Sequence, residues 1–307
     1  MSRDQRPRHA VLWGLLLLLF LSSVFVLSLL SLFGGGGDGD GAKLISRSFS
    51  SGDTLGLVRI EGVIIDGTDV VRQLDEWAED ESTPGVLIRI VSPGGVVAPS
   101  QEIYDAVKRL AEKKKVVCSF GHVAASGGYY IGAACEKIVA APGGITGSIG
   151  VIMMFNTLYE LWDKIGVGSV VIKSGAFKDT GSPDRPFTDE DRALMQGMVD
   201  DIYRQFLEAV AAGRKITVEK ARELSAGGRI YSGAQALEVG LVDEMGDQRR
   251  AVKILAEMVG YEGEPDLVEK TKQEGLFERL MEEKFEVLTP ARFSLPAGAY
   301  FLWEPGV

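Results

Sequence analysis

The 307-residue sequence predicts an α/β fold with a mainly parallel sheet, preceded by one N-terminal transmembrane helix. Three observations carry this expectation. β-prone apolar runs alternate with amphipathic helical stretches, the pattern of strands laid parallel by crossover helices. Gly85–Val91 (GVLIRIV) is apolar almost throughout, as in a strand covered on both faces. Ala10–Phe33 carries no formal charge. Its roughly 24 residues would span about 36 Å as a helix, enough to cross a bilayer core.

That first segment exceeds the apolar core of about 7–15 residues typical of cleaved signal peptides, and Leu30-Ser31-Leu32-Phe33 is a poor cleavage sequence. It reads as an uncleaved anchor in contact with membrane lipid. Arg3, Arg6 and Arg8 precede it against a single Asp4, so the N-terminus is expected in the cytoplasm and the remainder outside it, on a single-pass protein of the cell (inner) membrane. The chain then divides into a cytoplasmic tail (1–9), the anchor (10–33), a flexible linker (34–54) containing GGGGDGDG, a folded domain (55–260) and a C-terminal extension (261–307).

Within the domain, Leu55–Ile65 alternates as a strand and Val70–Glu79 fits a short helix. The Gly85–Val91 strand ends in Ser92-Pro93-Gly94-Gly95. Pro99–Lys114 follows as a helix with Ile103, Val107 and Leu110 on one face. Lys115–Phe120 is the next strand, and Ala124–Ala134 a helix of small residues. After Lys137–Ala140, a further short strand, come a Gly-rich turn and Ile145–Phe155. Thr157–Ile165 reads as a helix and Ser169–Lys173 as a strand. A long helix over 188–212 opens with Thr188-Asp189-Glu190-Asp191, a cap followed by acids suited to the helix dipole. Thr217-Val218-Glu219-Lys220 opens another. Ala234–Val239 and Gln248–Met258 are helical, with Leu241–Asp243 a short strand between them.

Composition removes several functional classes. A net charge of −10 with no basic stripe leaves nothing to neutralise nucleic-acid phosphates. His9 and His122 are the only histidines and HExxH is absent, which excludes a histidine-based zinc site. Neither G-x-x-x-x-G-K-[ST] nor G-x-G-x-x-G occurs, so nucleotide binding has no support and no cofactor is expected. Cys118 and Cys135 lie in apolar segments and read as buried small hydrophobes, although an oxidising compartment would permit a bridge.

Three Gly-rich segments, each after an apolar run, stand out: Ser92-Pro93-Gly94-Gly95, Ser126-Gly127-Gly128 and Thr146-Gly147-Ser148-Ile149-Gly150. In open parallel sheets, sites form beyond the C-terminal strand ends, where glycines let backbone N–H groups approach a ligand. Ser126, at a strand-to-helix junction, is either an ordinary helix N-cap or an acyl-transfer nucleophile. A nucleophilic hydroxyl needs a base. His122 is one candidate, and Lys137, Lys164, Lys173 and Lys178 are others if burial favours the neutral amine. Residue types and spacing do not choose among them.

The run ASGGYYIGAACEKIVAAPGGITGSIGVI, then IKSGAFKDTGSPDRPFT and GGRIYSGAQALEVGLVDEMG, resembles the S49 serine peptidases, the signal peptide peptidase A family, over about residues 55–260. The resemblance implies the Clp protease/crotonase fold and a Ser-Lys dyad of Ser126 and Lys178. It implies that Ser148 hydrogen-bonds the lysine amine, and that Gly94 or Gly95 together with Gly127 forms the oxyanion hole. Substrates would be short apolar peptides such as signal-peptide remnants. Because the chain holds one copy of a domain that long members carry twice, the resemblance also implies a homo-oligomer in which a neighbouring protomer supplies the lysine. A catalytically inactive peptide-binding scaffold and a crotonase-like acyl-CoA enzyme are the alternatives. Asp179 would disfavour a neutral Lys178 if its carboxylate faced the amine, whereas a turn residue pointing away would not. The segment Leu295–Trp303 is apolar enough to demand burial, either on the domain's own core edge or in a substrate groove.

Overall fold

The computed structural model describes residues 54–263, 265–270 and 299–302. The expected anchor, most of the linker and much of the extension lie outside the described residues. Among the described residues no helix is long and apolar enough to cross a membrane.

The apolar runs become strands and the amphipathic stretches become the helices that cover them. In order they are β1 (Thr54–Glu61), α1 (Thr68–Glu79), β2 (Gly85–Ser92), β3 (Gly94–Val96), α2 (Val97–Lys113), β4 (Lys115–Ala125), α3 (Gly127–Gly132), β5 (Lys137–Ala140), β6 (Ile145–Gly147), α4 (Tyr159–Lys164), α5 (Asp189–Arg214), α6 (Val218–Ser225), β7 (Ile230–Ser232), α7 (Gly233–Glu238), β8 (Glu244–Met245), α8 (Gln248–Val259), β9 (Asp266–Glu269) and β10 (Tyr300–Leu302). The main sheet runs β7-β6-β4-β2-β1-β9, with β5 also on β4 and β8 on β5. Every pairing in it is parallel except β6–β7.

Strand β2 shows why the sequence reads as apolar without alternation. Val86, Ile88 and Ile90 enter the large core cluster, whereas Leu87 enters a second cluster with Ala251 and Leu255 of α8. Both faces are therefore covered, and each large side chain so buried stabilises by roughly 1.5–3 kcal/mol.

Leu241–Asp243 forms no strand, β8 beginning at Glu244 instead, and two further expectations change. Ser169–Lys173 forms no strand: Val170 and Ile172 are 89% and 96% exposed, with no partner strand among the described residues. β-branched residues stabilise a strand through neighbours, and here none is present. Cys118 of β4 and Cys135, just after α3, are joined in a disulfide with a Cα–Cα distance of 5.8 Å, rather than lying side by side as free thiols.

Candidate active site

Sheet register brings the three Gly-rich segments together. Strand β4 pairs with β6 as Val123–Ile145, Ala124–Thr146 and Ala125–Gly147, so Ser126 and Ser148 leave adjacent strands at the same level. On the other side of β4, Ser92 of β2 pairs with Ala124. The Thr146 hydroxyl donates to the Ala124 carbonyl at 2.7 Å and reinforces this corner.

Ser126 is not an ordinary N-cap. Such a residue has extended backbone and accepts a bond from the first helical turn. Ser126 instead has φ 52° and ψ −116°, and its side chain makes no capping bond to α3. The conformation is sparsely populated for a residue with a Cβ and costs on the order of 1–3 kcal/mol. It is held from both sides: the Ser126 N–H donates to the Gly147 carbonyl, and the Tyr130 N–H donates to the Ser126 carbonyl, each at 2.8 Å. Ser148 also has positive φ, 51°, and its N–H donates to the Arg229 carbonyl at 2.8 Å. Both serines are buried, and neither hydroxyl is hydrogen-bonded to a described residue.

The glycines meet Ser126 from the β3 side. Gly94 has φ 102°, and its N–H donates to Ser92 Oγ at 3.1 Å. A Cβ on Gly127 would lie 3.2 Å from the Gly95 nitrogen, so these two backbones touch. A side chain on Gly127 would fill the corner, and one on Gly95 would strike the Ile64 backbone behind it.

That corner already holds an extended chain. Strand β10 runs antiparallel to β3, pairing Tyr300–Val96, Phe301–Gly95 and Leu302–Gly94. The Val97 N–H donates to the Ala299 carbonyl at 3.2 Å, and ladder alternation points the Gly95 N–H at the Phe301 carbonyl. A Cβ on Gly94 would stand 1.9 Å from the Phe301 oxygen and 2.6 Å from the Gly127 nitrogen, so oxygen and donor converge there. On its other edge, Tyr300 exchanges two 3.1 Å backbone bonds with Ile152. The Phe301 ring, fully buried, lies 5.0 Å from the Tyr130 ring and 4.7 Å from that of Phe206. Ile152 as the second wall of this cleft was not visible in the sequence, where Ile145–Phe155 is one apolar run.

The candidate bases separate clearly. His122 is exposed on β4. Lys137 lies 3.6 Å from Asp243, and Lys173 is bound to Asp179 at 2.6 Å. Lys164 and Lys178 are exposed, and neither amine has a partner among the described residues. Among the described residues, no base is hydrogen-bonded to Ser126.

A cleft that takes an extended chain by its backbone beside a buried, strained serine is suited to acyl transfer from a peptide. The class is that of the serine peptidases. The chain belongs to peptidase family S49, whose model matches residues 108–262. A Clp protease model also matches residues 65–142, in keeping with the α/β architecture. A Synechocystis sp. protein that carries a protease name, slr0021, is 47% identical over 213 residues, 69% of this chain and 76% of that one. An Enterococcus faecium protein that carries the name signal peptide peptidase SppA is 41% identical over 187 residues, covering 60% of this chain and 53% of the relative. The chloroplastic serine protease SPPA of Arabidopsis thaliana is 33% identical over 219 residues, 71% of this chain and 32% of the plant protein.

Proposed function

We propose that this peptidase is a membrane-anchored endopeptidase that degrades signal-peptide remnants and other short apolar peptides outside the cytoplasm. The observation that carries the reading is the apolar segment 299–302, bonded through its backbone on both edges beside Ser126. Strand addition takes peptides by main-chain bonds and selects among them through side-chain pockets. The pocket under Phe301 is aromatic, which favours apolar substrates.

In this reading the neutral Lys178 amine removes the Ser126 proton as Oγ attacks the scissile carbonyl. The developing oxyanion accepts bonds from the Gly127 N–H and, of the two candidate glycines, from Gly95, because the Gly94 N–H is already committed to Ser92. The lysine then protonates the departing amine as the C–N bond breaks and an ester forms on Ser126. Water, deprotonated by the same amine, hydrolyses the ester. Ser148, level with Ser126, orients the lysine. No cofactor enters this chemistry.

Lys178 would come from a neighbouring copy of the chain. Its segment exposes Val170, Ile172 and Phe177, apolar side chains that a neighbouring copy would cover. The Cys118–Cys135 bond supports an oxidising compartment, as expected for a domain held outside the cytoplasm.

A fluorophosphonate probe applied to the full chain in membranes tests the assignment. Labelling is expected at Ser126, absent in Ser126→Ala and reduced at least tenfold in Lys178→Ala. Labelling at another residue, or undiminished labelling of Lys178→Ala, would overturn it.

A further inference from the structure

Lys178 is followed immediately by a carboxylate, and the structure shows what that carboxylate does. Consecutive turns carry the segment: the Lys178 N–H donates to Gly175, the Thr180 N–H to Phe177 and the Ser182 N–H to Asp179. Asp179 Oδ1 accepts from Arg185 Nη2 at 2.9 Å and from Lys173 Nζ at 2.6 Å, and its side chain is only 11% exposed. Arg185 is itself anchored. Its Nη1 and Nη2 grip both carboxylate oxygens of Asp191, and Nη1 also donates to the Pro186 carbonyl. Asp191 is 2% exposed and serves three further groups. It receives the Thr180 hydroxyl at 2.6 Å and the Thr188 N–H at 3.1 Å, while its own N–H donates to Thr188 Oγ1 in the capping box of α5.

We propose that Arg185 is a positioning residue for the Lys178 base: it ties Asp179 to the α5 N-terminus and so keeps that carboxylate off the neighbouring amine. The inference rests on Lys178 being the base, as proposed above. A carboxylate within about 4–6 Å of an amine favours its protonated form, which cannot accept a proton from serine. Asp179 is close enough in sequence to do this, and the fork of Arg185 gives it another partner. Lys173 also neutralises Asp179 and donates to the Ala176 carbonyl at 2.9 Å, but it is not tied to α5. Arg185 alone is planar, bidentate and locked to a buried acid. The held carboxyl sits at about 2, below its usual range, chiefly through its Arg185 bond and then through Lys173, so it stays ionised wherever the peptidase works. The remaining ionisable groups nearby are otherwise engaged or distant in role. Asp184 accepts from Trp162 and Ser169, Asp189 and Glu190 lie in the first turn of α5, and Arg192 covers the Phe187 ring.

The test is the pH profile of kcat/KM for an apolar peptide, using the full chain in membranes or detergent. Arg185→Gln should move the acidic limb upward by about one pH unit, a roughly tenfold loss at fixed pH on the limb that is regained at higher pH. Arg185→Lys, which keeps one charge but cannot fork, should give a smaller shift in the same direction and carries the test if Arg185→Gln does not fold. The deciding variant is Asp179→Asn with Arg185→Gln. Removing the released carboxylate should return the limb to the wild-type position. A pH-independent loss in Arg185→Gln, or a double variant no better than the single one, would overturn the inference and leave Arg185 a purely structural anchor. Lys178→Ala in parallel separates the two levels: retained turnover there would remove the dyad reading itself, whereas a dead Lys178→Ala with an unshifted Arg185→Gln removes only this proposal.

Discussion

Ser126 occupies a backbone conformation that its own Cβ opposes, φ 52° with ψ −116°, and the bonds to Gly147 and Tyr130 hold it there. Strain of this kind sits where function needs a side chain aimed in one direction. It follows that Ser126→Gly should be more stable than Ser126→Ala by about 1–2 kcal/mol, because glycine adopts positive φ without the Cβ clash while alanine keeps it. Both should be inactive. Thermal melts of the two variants check this, and equal midpoints would show that the serine is not strained. The motif made Ser126 a candidate from sequence, but two readings stood open because a Gly-rich turn is compatible with either conformation. Only the φ angle and the missing cap bond separate them. The choice between Gly94 and Gly95 was closed to sequence for a similar reason. The proposed choice of Gly95 rests on the Gly94 N–H being bonded to Ser92 Oγ.

At the scale of elements, the strand β10 is the feature with the most direct kinetic consequence. Phe301 is fully buried against Tyr130 and Phe206, and its backbone pairs with Gly95, one of the glycines proposed to hold the oxyanion. Deleting residues 293–307 should therefore lower KM for apolar peptides several-fold with little change in kcat, since a competing occupant is gone. Steady-state kinetics on the truncated chain measure it. An unchanged KM with a lower melting temperature would reduce β10 to a structural strand. The apolar composition of this stretch demanded burial and left core edge and groove as alternatives. The structure buries Tyr300–Leu302 at the core edge between β3 and Ile152, and the truncation kinetics test whether that edge is also the groove. Ser169–Lys173 is the opposite lesson. Its β-branched residues suit a strand, yet propensity without a neighbouring strand gives an exposed loop. The parallel core strands were legible because coverage on both faces writes a continuous apolar run.

At the scale of the molecule, the proposed dyad joins a buried serine to an exposed lysine. Ser126 and Ser148 are buried at the C-terminal ends of β4 and β6, their hydroxyls bonded to no described residue, while Lys178 is exposed on a segment that also exposes Val170, Ile172 and Phe177. Only family resemblance suggested a dyad shared between copies, since nothing in the spacing of Ser126 and Lys178 says which copy of the chain joins them. A second copy covering Val170, Ile172 and Phe177 would bury that surface and deliver the amine in one step. The most direct test mixes two inactive full-length chains, Ser126→Ala and Lys178→Ala, under conditions where subunits exchange. If neighbouring protomers complete each other's sites, some interfaces pair an intact serine with an intact lysine, and peptide cleavage returns to a measurable fraction of wild type. Demonstrably mixed oligomers with no recovered cleavage would contradict the account and place serine and base within one chain.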